Sequence, residues 1–347
     1  MRLDEQRLGH GLDDLGEFAL IDRIVALLGD AAARDIVVPS GDDAAAWTTA
    51  EGLAVATIDA LVEGNHFRRD TMSMADVGWR AVAANVSDLA AMGAEPRYLL
   101  VATLLGPDAT VEDLDGLARG IAESCIAHGV RVAGGDIVRA ATSGLSIAAY
   151  GRARATTDDI PALLRRGGAR IGDRVAVSGA VGAASAGLAL IEAGRADEPR
   201  AADLVHAHRR PVGRVALGRA AVAAGVRCGI DVSDGLLQDL GHIARRSHVG
   251  IEVALAQVPV HAAAVELLGA EAALDLALGG GEDFELLLTG ERDTLVRLES
   301  RDLPVTLIGR VVAEHPGEVI AWAEDGSVYE PPRRGWDQTR HRGDGDR

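Results

Sequence analysis

Aspartates recur where apolar runs end. The stretch 230–244, IDVSDGLLQDLGHIA, opens as a buried strand, places Asp231, Ser233 and Asp234 together, and passes at once into Leu236, Leu237, Leu240 and Ile243 at helical spacing. Asp42 and Asp43 in SGDDAA, Asp59 closing AVATID and Asp136 closing VAGGD repeat the pattern, and Asp88 lies among small and apolar residues in ANVSDLAAMGA. A charge at such a junction is costly unless something compensates it. Carboxylates gathered at the carboxyl ends of strands, where open α/β sheets hold their ligands, repel one another by about 4 kcal/mol per pair at 4 Å and an effective dielectric of 20. A hard divalent cation resolves that conflict, and Mg²⁺ takes a few carboxylates together with water and substrate phosphate. Each residue also has a local reading: Ser233 or Asp234 as cap of the following helix, Asp42 and Asp43 as a turn, Asp59 as an ion-pair partner, Asp88 as a cap.

Composition narrows the chemistry. At 347 residues the chain exceeds what one core usually serves, so two domains are expected. Hydrophobic content of 48% and charged content of 25% fit a globular protein, and with only 3% aromatics the core must be built from Ala, Val, Leu and Ile. A net charge of −17 argues against nucleic acid and against an anionic membrane surface as partners. All 35 basic residues counted as Lys or Arg are arginine. A Walker-A lysine, a Schiff-base lysine and a biotinyl or lipoyl lysine are thereby excluded, and phosphate must be neutralised by arginine, backbone amides or metal.

Cys125 and Cys228 form no CxxC pair, so neither a zinc site nor a disulfide framework is indicated and a reducing compartment fits. The opening MRLDEQRLGHGLDDLGEF has no basic region followed by an apolar run, and no apolar stretch approaches the roughly 20 residues that span a bilayer. A cytoplasmic protein is expected.

These residues need elements to position them. The apolar periodicity predicts helices over 17–28, 74–92 and 111–128, and strands over 52–59, 97–105, 129–136 and 144–153. Pro, Gly and charge interrupt both periodicities over 156–173, the expected boundary. Beyond it RVAVSG reads as a strand, AASAGLALIEAG as a helix, and the alternation runs to about residue 322. This gives two α/β domains, over 15–155 and 156–338, with a polar, disordered tail over 339–347. The glycine-rich turn SGAVGAASAGLALI lacks G-x-G-x-x-G spacing and reads as tight turn packing rather than a dinucleotide loop.

The ordered set GEFALIDRI, GDDAA, TIDALVEGNHF, NVSDLAAMGAEP, GGDIV, RRGGARIGD, IDVSDGLLQDLGHIA and GGEDFELLLT, within about residues 15–336, resembles the thiamine-monophosphate kinase family of the aminoimidazole ribonucleotide synthetase-like superfamily. The resemblance implies an α/β (α+β) fold of two domains: an N-terminal sheet domain that dimerises and a C-terminal α/β domain that closes the nucleotide cleft. It implies several Mg²⁺ ions on Asp43, Thr57, Ile58 (through its carbonyl), Asp59, Asp88, Asp136, Asp231 and Asp234. Gly135, Asp136, Arg166 and Ser233 are implied as contacts to ATP, the co-substrate, and His66, Glu282 and Trp336 as contacts to thiamine monophosphate. Asp88, Asp136, Asp234 and Arg166 would stand closest to an in-line transfer of the γ-phosphoryl group. Two alternatives stay open: another ATP-dependent enzyme of the superfamily, and a non-catalytic nucleotide or metal sensor on the same fold. Selenophosphate synthetase is disfavoured, since no N-terminal Cys or Lys is present for its chemistry.

Overall fold

The chain divides into two compact units, Met1–Leu89 with Glu95–Arg154, and Ala90–Ala94 with Ala155–Arg347. The computed structural model describes residues 23–24, 26–31, 53–153, 163–299 and 304–336. Asp43, the first part of the expected helix 17–28, residues 156–162 of the expected boundary and the tail 339–347 lie outside them.

The first unit carries β1 (Leu53–Val62), α1 (Met74–Ala91), β2 (Glu95–Leu105), α2 (Val111–His128), β3 (Arg131–Arg139) and β4 (Gly144–Ala153). The expected helix 111–128 and strand 144–153 are α2 and β4; β2 starts at Glu95 rather than residue 97, and β1 runs past Asp59 to Val62. The sheet order is β1-β4-β2-β3. β4 is antiparallel to both its neighbours, while β2 and β3 are parallel and joined through α2, the crossover that parallel pairing requires. A capping box between Thr110 and Asp113 starts α2, and left-handed Gly129 ends it. α1 and α2 touch backbone to backbone: a Cβ on Gly120 would stand 1.8 Å from the Ala75 oxygen, and one on Gly78 2.3 Å from that of Leu117.

The two faces of this sheet differ. Leu99, Val101, Ile147 and Ala149 are buried on one. On the other, β1 exposes Ala54, Ala56, Ile58, Ala60 and Val62, with Ile58 66% exposed. Register continues that face through Ala148 and Tyr150 of β4, Leu100 and Ala102 of β2, and Gly134 and Asp136 of β3. An open, largely apolar sheet face is a surface in need of cover.

The second unit carries β5 (Arg174–Ser178), α3 (Ala183–Glu192), α4 (Ala201–Arg209), α5 (Val215–Ala223), β6 (Cys228–Asp231), α6 (Leu236–Ser247), β7 (Gly250–Ala254), α7 (Ala262–Leu268), α8 (Ala270–Gly279), β8 (Leu286–Gly290), α9 (Arg292–Val296), β9 (Val305–Val312) and β10 (Val319–Trp322). Its mixed sheet has the order β10-β7-β9-β5-β8-β6. Val175, Val177, Ile230 and Leu287 pack with Leu236, Leu237, Leu240 and Ile243 of α6. Their neighbours Ala176, Leu286 and Leu288 pack the opposite way, with Leu217, Ala221 and Leu295. Burial on both faces explains why these strands read as continuous apolar runs.

Candidate active site

In the first unit, β1 and α1 hold one cluster. The Thr57 hydroxyl donates to Asp88 Oδ2 at 2.6 Å, and the Asp59 amide donates to Asn85 Oδ1 at 3.2 Å. Asn85 is buried, and its own amide donates to the Ala81 carbonyl at 2.9 Å, so one turn of α1 fixes the β1 backbone. Ile58, between them, turns its side chain to the open face and leaves only its backbone for a ligand. His66 sits in the turn after β1, where Nδ1 accepts from the Val62 amide at 3.1 Å.

Asp136 does not join this cluster. It is exposed on β3, and register aligns it through Ala102 and Ser146 with Ala60 of β1, across the full width of the sheet. Three strand spacings of about 4.8 Å put it about 14 Å from the β1 backbone. Gly135 beside it packs so closely on β2 that a Cβ would lie 2.1 Å from the Val101 oxygen.

In the second unit, three chain segments meet around Asp234. The Glu282 amide donates to the Ser233 carbonyl at 2.8 Å, the Phe284 amide to that of Val232 at 2.9 Å, and the Trp336 amide to that of Asp234 at 2.9 Å. Glycines permit the approach: a Cβ on Gly281 would lie 2.5 Å from the Ser233 oxygen, and one on Gly279 2.0 Å from that of Arg333. Glu282 and Phe284 both hold left-handed backbone, at φ 62° and 51°, a conformation costly for residues with side chains. Asp231, Ser233, Asp234, Glu282 and Trp336 are thus brought together, with Asp231 only 2% exposed.

Arg166 is exposed, in a segment tied to the end of α6 by the Ser247 hydroxyl, which donates to the Arg166 carbonyl at 2.9 Å. Burial and then the charges of Arg245, Arg166 and Arg246 hold His242 below the usual imidazole range.

The loop 233–235 corrects one expectation. Neither Ser233 nor Asp234 caps α6: the N-cap is Gly235, without a side-chain cap, and the backbone amides of Ser233, Asp234 and Gly235 are not free for phosphate. Asp239 has taken them, its Oδ2 accepting from the three amides at 3.1, 3.1 and 3.0 Å. A buried carboxylate inside the first turns of the helix outcompetes the loop side chains because it faces all three donors at once.

Asp239 escaped the sequence reading, as did the residues beneath the GGED loop. The two oxygens of Asp283 accept from the Gly182 amide at 2.7 Å and the Ala184 amide at 3.1 Å, capping α3, whose N-cap is a glycine. This fills the glycine-rich turn and leaves its helix N-terminus no free anion site. Burial pushes the Asp283 carboxyl up to about 7, against those amides. Glu285, 3% exposed, accepts from the Ser178 hydroxyl and from both Nε and Nη2 of Arg214. Burial raises its titration and Arg214 opposes the rise. A glycine N-cap and a carboxylate four residues past an SDG turn were the available signals.

The ligand atoms of Asp234, Asp239 and His242 lie within 4.8 Å of one another. Within the first unit, Thr57, Asp59 and Asp88 offer hydroxyl and carboxylate oxygen, the hard donor type that suits Mg²⁺. Among the described residues no helix is long and apolar enough to cross a membrane.

This two-domain α/β architecture matches the family AIR synthase related protein, N-terminal domain, over residues 41–153, and AIR synthase related protein, C-terminal domain, over residues 170–321. The thiamine-monophosphate kinase of Escherichia coli (strain K12) is 35% identical over 332 residues, covering 93% of this chain and 98% of the relative. The crystal structure of thiamine-monophosphate kinase from Stenotrophomonas maltophilia K279a superposes with a TM-score of 0.77 at 38% identity, over 91% of this chain and 98% of the other. AaThiL complexed with AMPPCP and TMP gives a TM-score of 0.72 at 31% identity, over 94% and 99%. The chain belongs to the thiamine-monophosphate kinase family of enzymes.

Proposed function

We propose that the chain transfers the γ-phosphoryl group of ATP to the phosphate of thiamine monophosphate, giving thiamine diphosphate and ADP by direct in-line displacement with Mg²⁺. The observation that carries this reading is the lacing of the DVSD, GGED and RGW segments around Asp234, which gathers implied metal, nucleotide and substrate residues in one unit. The relative complexed with AMPPCP and TMP supports the same pair of ligands.

The acceptor is a phosphate monoester with a second pKa of about 6, largely dianionic at neutral pH, so no general base is needed. Repulsion between two polyanions is the obstacle, and positioning plus charge neutralisation are what the reaction requires. When bound, Mg²⁺ would supply the charge neutralisation that lets the two phosphate groups approach. Asp43, Thr57, the Ile58 carbonyl, Asp59, Asp88, Asp136, Asp231 and Asp234 are its proposed ligands. Gly135, Asp136, the Arg166 guanidinium and the Ser233 hydroxyl hold the nucleotide; Arg166 offers a fork of donors in a chain without lysine. His66, Glu282 and Trp336 hold the acceptor: Trp336 covers its flat cationic ring, Glu282 favours the ring charge, and His66 hydrogen-bonds.

The active form is a homodimer built on the open face of the first sheet, in the cytoplasm, where Cys125 and Cys228 stay reduced. Asp136 lies on that face. The assay is ADP release coupled to a spectrophotometric reporter. Release that depends on both thiamine monophosphate and Mg²⁺ is the expected result, and ADP release indifferent to the acceptor overturns the reading.

A further inference from the structure

Loop 233–235 and the first turns of α6 form a closed latch. Asp239 is 1% exposed, and its charge is answered by backbone rather than by a side-chain cation: Oδ2 takes the amides of Ser233, Asp234 and Gly235. Three consecutive amides turned toward one oxygen fix the peptide planes on both sides of Asp234, and with them the direction in which its side chain leaves the loop. The same planes carry the carbonyls of Ser233 and Asp234, which receive the Glu282 and Trp336 amides. Gln238, one residue before Asp239, donates to the Trp336 carbonyl and lies 3.4 Å from Asp234 Oδ2. Removing the Asp239 oxygen would strand three buried or half-buried donors and free the loop to re-pair.

We propose that Asp239 is a positioning residue: as an acceptor for the 233–235 amides, it aims the Asp234 carboxylate and the Ser233 hydroxyl at the metal–nucleotide site without itself binding the ion. The inference rests on the proposed function for its kinetic consequence, but not for the latch itself. Asparagine in place of Asp239 retains one oxygen that can accept from the loop and loses the charge; alanine loses both. Hence the two variants separate an acceptor from a ligand.

The experiment compares the full-length protein with Asp239→Asn and Asp239→Ala, reading deuterium uptake at the 233–235 amides and the Mg²⁺ concentration for half-maximal ADP formation. In Asp239→Ala both should rise by about tenfold or more, with turnover largely recovered at saturating Mg²⁺. Asp239→Asn should stay within about threefold of the parent in both. Unchanged exchange and Mg²⁺ dependence in Asp239→Ala would overturn the proposal. Loss of Mg²⁺ affinity in Asp239→Asn with slow loop exchange would also overturn it, by making the carboxylate a ligand alongside Asp234 and His242. If Asp239→Ala does not fold, Asp239→Ser, whose oxygen is one bond short, should show the same faster exchange and raised Mg²⁺ requirement. A parent protein that forms no ADP with thiamine monophosphate defeats the proposed function alone, since amide exchange and calorimetric Mg²⁺ titration still judge Asp239.

Discussion

Thr57 and Asp88 are joined side chain to side chain, hydroxyl to Oδ2 at 2.6 Å, across the boundary between β1 and α1. Strand and helix thereby present two oxygens at one point, and Asn85 fixes the Asp59 backbone one helical turn away. Asp88→Asn keeps an acceptor for Thr57 and removes the charge of a proposed Mg²⁺ ligand. Turnover should fall at least about 100-fold while the unfolding temperature stays within a few degrees. Steady-state kinetics at saturating Mg²⁺ beside a thermal melt checks this; near-parental turnover would remove Asp88 from the metal set.

The half-buried Asp283 cap makes stability depend on pH. Its carboxyl titrates at about 7 in the folded chain against an ordinary value of 3.8, so between these pH values the folded chain holds a proton that the unfolded chain has released. Its contribution is therefore fully present below 3.8 and is lost as pH rises through about 7. Asp283→Asn cannot titrate. Between about pH 5 and about pH 8 the variant should lose less stability than the parent, although its absolute stability is lower for want of one acceptor. Parallel melting curves against pH would contradict the assignment.

Arg214 answers a carboxylate that water cannot reach. Glu285 is 3% exposed and receives the guanidinium fork, so Arg214→Met leaves a buried charge with only Ser178 beside it. The expected cost is about 2–3 kcal/mol in urea unfolding, below the roughly 3–5 for a fully buried pair because the Arg214 side chain is partly exposed. Adding Glu285→Gln should recover more than half of it, and strict additivity of the two substitutions would deny the coupling.

The apolar stripe on β1 predicts association. Ala56 is exposed between Ala54 and Ile58, in a register that runs across the open face. The parent should scatter light as two chains at micromolar concentration, and Ala56→Arg as one with an unchanged fold by circular dichroism. A monomeric parent contradicts the homodimer.

Elements with strong local signals were legible in the sequence. The apolar periodicity over 111–128 and the strand pattern of GLSIAAYGRA mark out α2 and β4. The acidic junction 231–234 stands out in the sequence because apolar residues flank it on both sides. Its internal wiring does not. Asp239 reads as one polar position on an amphipathic helix until its three amide partners are seen, and Ser233 and Asp234 look like caps until Asp239 displaces them. Asp283 and Glu285 serve residues 101 and 107 positions away, Gly182 and Ser178, which no local period reports. The position of Asp136 is likewise a matter of strand order: β3 follows α2 in sequence but lies at the far edge from β1.

The central claim is that a phosphate, not a hydroxyl, accepts the transferred group. The proposed Mg²⁺-dependent transfer needs no general base for an acceptor already largely dianionic at neutral pH, whereas a neutral alcohol would arrive protonated. The most direct measurement incubates the protein with ATP and Mg²⁺ and either thiamine monophosphate or free thiamine, and separates the products chromatographically. Thiamine diphosphate formed one for one with ADP from the monophosphate, and no phosphorylated product from thiamine, is the predicted result; monophosphate formed from free thiamine would contradict it.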